Sequence, residues 1–231
     1  MAEAANEGLV AALRVGLVGD HEQRLKTWTA SGSRHYGSQM PPIQQPLKGT
    51  RIAVLIENMY QDLEFWYPTL RLRAAGAEVQ VVGETAGKSY TGSHGYPAQA
   101  EVGAKDIHAQ DFDGVVVPGG YAPDKMRRNP AMVDLVRRLN GEGKLVAAIC
   151  HAGWMLAEAD IVRGRRATSV ANIRTDLINA GTNWEDAEVV VDRNLVTSRT
   201  PADLPAFGEA IVEALVAQKA GRGEPALAGS R

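Results

Sequence analysis

The sequence predicts a doubly wound α/β domain with a mostly parallel sheet, and three observations carry that prediction. Apolar runs without alternation recur at Ile52–Ile56, Val115–Val117 and Leu145–Ile149, as strands buried on both faces require. The first of these leads into a helical stretch and then another strand, the spacing of a parallel crossover unit. Each interior strand also ends in a cluster of small, acidic or nucleophilic residues, at the edge where sheets of this kind hold their sites.

Taken in order, residues 1–48 read as an N-terminal helical extension and linker. Leu9, Val10, Leu13, Leu17 and Val18 fall near one helical face, with Leu25 and Trp28 further on, which suits an amphipathic helix. Ser31-Gly32-Ser33 and the stretch from Met40-Pro41-Pro42 to Pro46 then read as a linker. The expectation is an arm that packs on the domain or on a neighbouring subunit, with a mobile arm as the alternative.

The domain is assigned to 49–220. Ile52–Ile56 is a buried strand, and Gln61 to Ala74 a helix carrying Leu63, Phe65, Trp66, Leu70 and Leu72. Gly76 ends that helix, and Glu78 to Val82 is the next strand. Tyr90 to Tyr96 is turn-rich and suits a hairpin tip. Asp113 to Val117 is an interior strand ending in Pro118-Gly119-Gly120, and Pro130 to Asn140 a helix before the central strand. Thr175 to Asn179 is helical up to Gly181. Glu188–Val191 and Leu195–Ser198 flank Asp192-Arg193-Asn194 as a hairpin, and Leu204 to Gln218 forms a last helix. Residues 221–231 read as a flexible tail. No internal repeat is present.

Composition narrows the function classes. A formal net charge of −2 gives no sign of a nucleic-acid or anionic-membrane surface, so neither partner is expected. One cysteine in 231 residues excludes an intrachain disulfide, so a reducing cytoplasm is the expected compartment. No apolar run reaches membrane-spanning length, and Glu3, Glu7, Arg14 and Asp20 break any signal-peptide pattern.

The chemistry concentrates after the central strand. Cys150 follows Val146-Ala147-Ala148-Ile149 directly, with His151 next and a helix-favouring run from Trp154. That places the thiol on a tight strand-to-helix turn, a nucleophile elbow in cysteine form. A helix N-terminus there favours thiolate over thiol and offers N–H groups to an oxyanion. A small core cysteine is the plain alternative. The first strand leads to Asp62 and Glu64, and the Val115 strand to Gly119, Gly120 and Asp124. A carboxyl beside the thiolate, raised in pKa by burial and the sulfur's charge, would stay protonated and donate a hydrogen bond or act as general acid. Glu64 as an ordinary surface helix residue stands beside that reading. Gly119-Gly120 is a simple turn, or a place where bare backbone N–H groups approach a substrate oxygen.

These residues resemble a known family. Ala147-Ala148-Ile149-Cys150-His151-Ala152-Gly153 is similar to the nucleophile signature of the ThiJ/PfpI superfamily, whose fold is flavodoxin-like and related to class I glutamine amidotransferase domains. Gln61 to Pro68 resembles its acidic stretch, and Val117 to Asp124 its Pro-Gly-Gly loop. Val162-Arg163-Gly164-Arg165, Asn179-Ala180-Gly181 and Thr197 to Leu204 resemble downstream markers of the PfpI branch. The resemblance runs in order from about Arg51 to Val216 and leaves residues 1–48 outside.

The resemblance implies Cys150 as nucleophile, Glu64 as the protonated carboxyl against its sulfur, and His151 as base. Asp124 from a neighbouring subunit would orient the imidazole, and Gly120 with the His151 N–H would form the oxyanion site. It implies a homo-oligomer, a dimer or a hexamer of dimers, with the site completed at the interface. Family activities include cofactor-independent glyoxalases, deglycases, cysteine peptidases and stress-related chaperones. Asp124 stands where a glutamate is expected, so its shorter side chain reaches less far. Val170 replaces a tyrosine of peptidase-like members, and Ala152 a glycine.

The leading expectation is a cysteine-dependent, cofactor-independent enzyme acting on reactive carbonyls in stress protection. An intracellular cysteine peptidase acting on short peptides is the first rival, and a non-enzymatic oxidation sensor or holdase the second. No metal is expected, since the histidines lack paired spacing and one cysteine cannot build a thiolate zinc site. His94, in the turn, reads as a structural histidine. Nucleotide binding fails for want of a Gly-x-Gly-x-x-Gly or phosphate loop. Glutamine amidotransfer fails for want of a His-x-Glu pair after the elbow.

Overall fold

A computed structural model describes residues 45–223 and has the α/β architecture that the apolar runs predict. Strands β1 (Arg51–Leu55), β2 (Glu78–Gly83), β5 (Val102–Gly103), β6 (Gly114–Val117), β7 (Leu145–Ile149), β10 (Val189–Asp192) and β11 (Leu195–Ser198) form one sheet. Its spatial order is β10-β11-β7-β6-β1-β2-β5, and every neighbouring pair is parallel except β10 with β11. Helices α1 (Asp62–Ala74), α2 (Ala122–Met126), α3 (Pro130–Gly141), α4 (Gly153–Glu158), α5 (Arg174–Asn179) and α6 (Leu204–Gly223) complete the fold. Two small pairs lie outside the main sheet: the hairpin of β3 (Ser89–Thr91) with β4 (Pro97–Gln99), and parallel β8 (Arg166–Ala167) with β9 (Asn183–Trp184).

The unalternating runs are the centre of the sheet. All of β6 and β7 is buried, as is β1 after Arg51. Each fully buried Val, Leu or Ile there contributes about 1.5–3 kcal/mol of hydrophobic stabilisation, so these strands organise the core. Crossing from β2 back to β6, on the other side of β1, creates a topological switch between β1 and β6. The chain segments leaving β1, β6 and β7 therefore meet at one carboxyl edge.

Several boundaries differ from the sequence reading. Leu47, assigned to the extension, is fully buried, and its N–H donates to the Ala75 carbonyl at 2.9 Å. Helix α6 continues to Gly223, past the expected start of the tail at Gly221. Helix α1 is apolar on both sides: Phe65 and Leu72 are buried, whereas Leu63 and Leu70 are 58% and 56% exposed. The amphipathic helix expected around Leu9–Val18, the linker up to residue 44 and the tail from 224 lie outside the described residues. Among the described residues no helix is long and apolar enough to cross a membrane.

Candidate active site

Strand β7 runs straight into Cys150, whose φ of +62° lies in the left-handed region that L-residues avoid. Such a conformation costs about 1–3 kcal/mol and persists because buried β7 and the turn after it hold it. A 3-10 turn, Cys150–Ala152, passes into α4, so the expected strand-to-helix elbow is present. Its effect on the thiol runs opposite to the sequence expectation. Burial, with the nearby Glu64 carboxylate second, pushes the Cys150 thiol up to about 12. The N–H groups of His151 and Gly120 favour the charged sulfur and are outweighed.

Glu64 supplies the missing part of that balance. It sits in the first turn of α1, where Gln61 caps the helix by accepting the Glu64 N–H at 2.9 Å. Its side chain is fully buried, which overturns the surface-helix alternative. Oε2 accepts the Gly119 N–H at 2.8 Å, while Oε1, also buried, has no hydrogen-bond partner among the described residues. Burial pushes the carboxyl up to about 7, against the opposing pull of the Gly119 N–H and the Cys150 thiol. Carboxyl and thiol are thus coupled: protonating Glu64 removes the repulsion that holds the proton on sulfur.

The two glycines divide their roles. Gly119, expected as an oxyanion donor, has its N–H engaged by Glu64, so it positions the carboxyl instead. Gly120 has φ of +75° and forms an isolated antiparallel bridge with Tyr60. A Cβ on Gly120 would lie 2.4 Å from the Met59 carbonyl oxygen, so the close approach of the two chain segments requires glycine. Its N–H and that of His151 both act on the sulfur, where an oxyanion would form.

His151 places Nδ1 3.3 Å from the Cys150 sulfur. Burial lowers its pKa, keeping the imidazole neutral and able to accept a proton. Asp124 is not brought to it within the chain: it is exposed on α2 and pairs with Arg127 at 2.9 Å. The rings that flank His151 are Tyr121 and Trp154, with centroids 6.2 and 5.1 Å away. The sequence singled out neither, because an aromatic four residues beyond Cys150 reads first as helix packing.

His94 belongs to the turn, as expected. Asp62 accepts the N–H groups of His94 and Tyr96 at 2.9 and 3.1 Å, and also contacts the Ser93 hydroxyl and His94 Nδ1. This single carboxylate ties the β3–β4 hairpin to α1, two residues from Glu64. Among the described residues no group of three or more His, Cys, Asp or Glu side chains is arranged to hold a metal ion.

Known proteins resemble this chain in sequence and in fold. Residues 50–214 match the DJ-1/PfpI family. A deglycase of Pyrococcus abyssi is 42% identical over 165 residues, covering 71% of this chain and 99% of that protein. A Bacillus subtilis protein, YraA, whose name assigns it provisionally as a cysteine protease, is 41% identical over 157 residues, 68% of this chain and 93% of its own. A two-domain protein of Anabaena variabilis, with DJ-1/ThiJ/PfpI-like and ferritin-like domains, superposes with a TM-score of 0.71 at 45% identity. That match covers 72% of this chain and 48% of the longer one. A match that runs from just before β1 into α6, over the whole sheet and every residue of the elbow site, makes this chain a member of the DJ-1/PfpI family.

Proposed function

We propose that the chain is a cysteine-dependent, cofactor-independent enzyme acting on small reactive carbonyls, with glyoxalase- or deglycase-like chemistry. One observation carries the reading: a buried carboxyl with a free oxygen, Glu64, is coupled to a strained elbow thiol that touches an imidazole. The names of relatives such as the Pyrococcus abyssi deglycase support it.

With methylglyoxal as substrate, the Cys150 thiolate adds to the aldehyde carbon, and the new oxyanion meets the N–H groups of Gly120 and His151. Protonation gives a hemithioacetal. His151 removes the proton from the sulfur-bearing carbon, and a proton returns to the neighbouring carbon, leaving a thioester beside a hydroxyl. Water cleaves the thioester to lactate and restores the thiol. Glu64, protonated, hydrogen-bonds the thiolate before attack and is placed to donate during it. Deglycation uses the same first steps on an adduct and ends in cleavage of the bond to the amine or thiol. The sulfur that a glutathione-dependent route borrows is here Cys150's own.

The working unit is a homo-oligomer in the cytoplasm, a dimer or hexamer with its sites at the interfaces. Exposed Asp124 from a neighbouring copy orients His151, and the exposed Met59, Leu63 and Leu70 suit burial against another copy. A peptidase is the second reading, favoured by the name of the Bacillus subtilis relative. There Cys150 forms an acyl-enzyme, and a fluorogenic peptide is cleaved by thiol-competent protein.

The deciding experiment compares conversion of methylglyoxal to lactate by the native protein, Cys150→Ala and Glu64→Gln. Loss in both variants is expected. Equal activity in Cys150→Ala would sink the reading, and a reduced, inactive native protein would shift it to peptides.

A further inference from the structure

The imidazole of His151 has one hydrogen-bond partner among the described residues, the Cys150 sulfur at 3.3 Å. One bond leaves a ring free to swivel about it. What limits the swivel is aromatic: Tyr121 lies near-parallel to the ring, at 25°, and Trp154 is tilted at 55° and closer.

Trp154 is itself fixed from two further helices. Its indole N–H donates to Asp176 Oδ2 of α5 at 2.8 Å. The Arg127 guanidinium stands over its ring, 5.5 Å from the centroid, and Arg127 is held in turn by Asp124 of α2. Asp176, an exposed carboxylate at the start of a short helix, makes no other side-chain hydrogen bond among the described residues, so its contact with the indole is its distinguishing role. A wide ring pinned at its nitrogen and covered by a cation makes a rigid wall for a neighbouring imidazole.

We infer that Trp154 is a positioning residue for His151, locked by Asp176 and by the Arg127–Asp124 pair, so that Nδ1 stays on the Cys150 sulfur. This rests on the reading of His151 as the base. It gives α2, α4 and α5 of a single chain a part in the site. Small displacements of a catalytic group weigh heavily on turnover, so a loosened wall acts on kcat more than on substrate binding.

The test is a double-mutant cycle on two readouts. One is the rate of Cys150 alkylation by iodoacetamide, which needs no carbonyl turnover. The other is kcat and KM for methylglyoxal. Trp154→Ala is expected to slow alkylation by about fivefold and kcat by about tenfold with KM moving less than about twofold. In a His151→Ala background the same change is expected to do nothing further. Trp154→Phe keeps a ring, loses the Asp176 bond and should fall between, which preserves the test if the alanine variant folds poorly. An equal effect with and without His151, a faster alkylation in both backgrounds, or no effect in the native background would overturn the assignment. A native protein inactive on methylglyoxal would refute the carbonyl reading alone, since the alkylation cycle still decides the role of Trp154.

Discussion

Glu64 and Cys150 close on each other across a single backbone unit. A methyl group on Gly119 would lie 2.5 Å from Glu64 Oε2 and 2.7 Å from Cys150 Cβ. The carboxyl from α1 and the thiol from the β7 elbow are therefore kept in register by the bare backbone that follows β6. Three elements that are far apart in sequence meet at one glycine, and its N–H is the bond that aims the carboxyl.

Gly119→Ala tests that geometry. The added carbon has no free direction, because the Ile149 carbonyl oxygen would also lie at 2.9 Å. Glu64 must swing away and its bond to residue 119 must lengthen. A loss of about 1–3 kcal/mol in urea denaturation is expected, the usual cost of overpacking. Cys150 alkylation should change its pH dependence at the same time, since the coupled carboxyl has moved.

The buried Glu64 carboxyl makes stability depend on pH. Its pKa rises from 4.5 to about 7 on folding, burial being the main cause. The folded state thus holds the proton more tightly than the unfolded chain. The stabilisation is fully present below pH 4.5 and is lost as pH rises through about 7. A shift of that size corresponds to a loss on the order of 3 kcal/mol across the window. Glu64→Gln should flatten the profile and be more stable than the native protein at pH 8, read from urea midpoints at pH 5 and 8. Because burial leads, the slope should persist in Cys150→Ala. A native profile already flat from pH 5 to 8 would contradict the buried, proton-holding carboxyl.

What could be read beforehand divides along physical lines. Strands β1, β6 and β7 were legible because burial on both faces leaves an unbroken apolar run in the chain itself. Cys150 was legible for the same reason, as the residue at which such a run stops. The role of Gly119 was not, because its N–H bonds a carboxyl 55 positions away and no local pattern records that. Leu47 looked like linker, since one leucine among prolines and polar residues carries no period. The thiol's raised pKa was missed because the sequence displays the turn and hides the depth of burial. Leu63 and Leu70 are apolar residues of the same helix as buried Phe65 and Leu72, yet stay exposed, because hydrophobicity alone does not say which side of a helix faces the sheet.

Asp62 should act as the latch of the β3–β4 hairpin. Burial works to raise its pKa, but bonds from the His94 and Tyr96 N–H groups, the His94 ring and the Ser93 hydroxyl outweigh it and hold the carboxyl below its usual range. Its stabilisation is present above the ordinary carboxylate pKa and lost as pH falls through the lowered one. Asp62→Ala strands those donors and should cost about 2–3 kcal/mol. The amides of His94 and Tyr96 should then exchange faster with deuterium while those of β7 keep their protection relative to global unfolding. Uniform loss of protection across the sheet would count against a local latch.

Arg165 predicts a purely structural defect. Its side chain is 7% exposed, and Nε donates to Asp192 Oδ2 at 3.0 Å. The two other guanidinium nitrogens reach the Asp192 carbonyl and the side chains of Asn140 and Asn194. One planar fork thereby joins the segment before β8 to the end of α3 and the β10–β11 turn. Removing it takes away one of the donors to Asp192, which keeps the Arg166 N–H at 2.9 Å and the Arg193 guanidinium at 3.2 Å, and strands the Asn140 and Asn194 side chains, so Arg165→Ala should cost about 1–3 kcal/mol. Arg165→Lys should recover little, because an ammonium cannot reach acceptors in three directions from one plane. None of these bonds touches the elbow, so Cys150 in the folded fraction should be alkylated at the native rate. A slower rate there would mean that the β10–β11 end of the sheet communicates with the thiol through β11, whose Ser198 is paired with Ile149 immediately before Cys150.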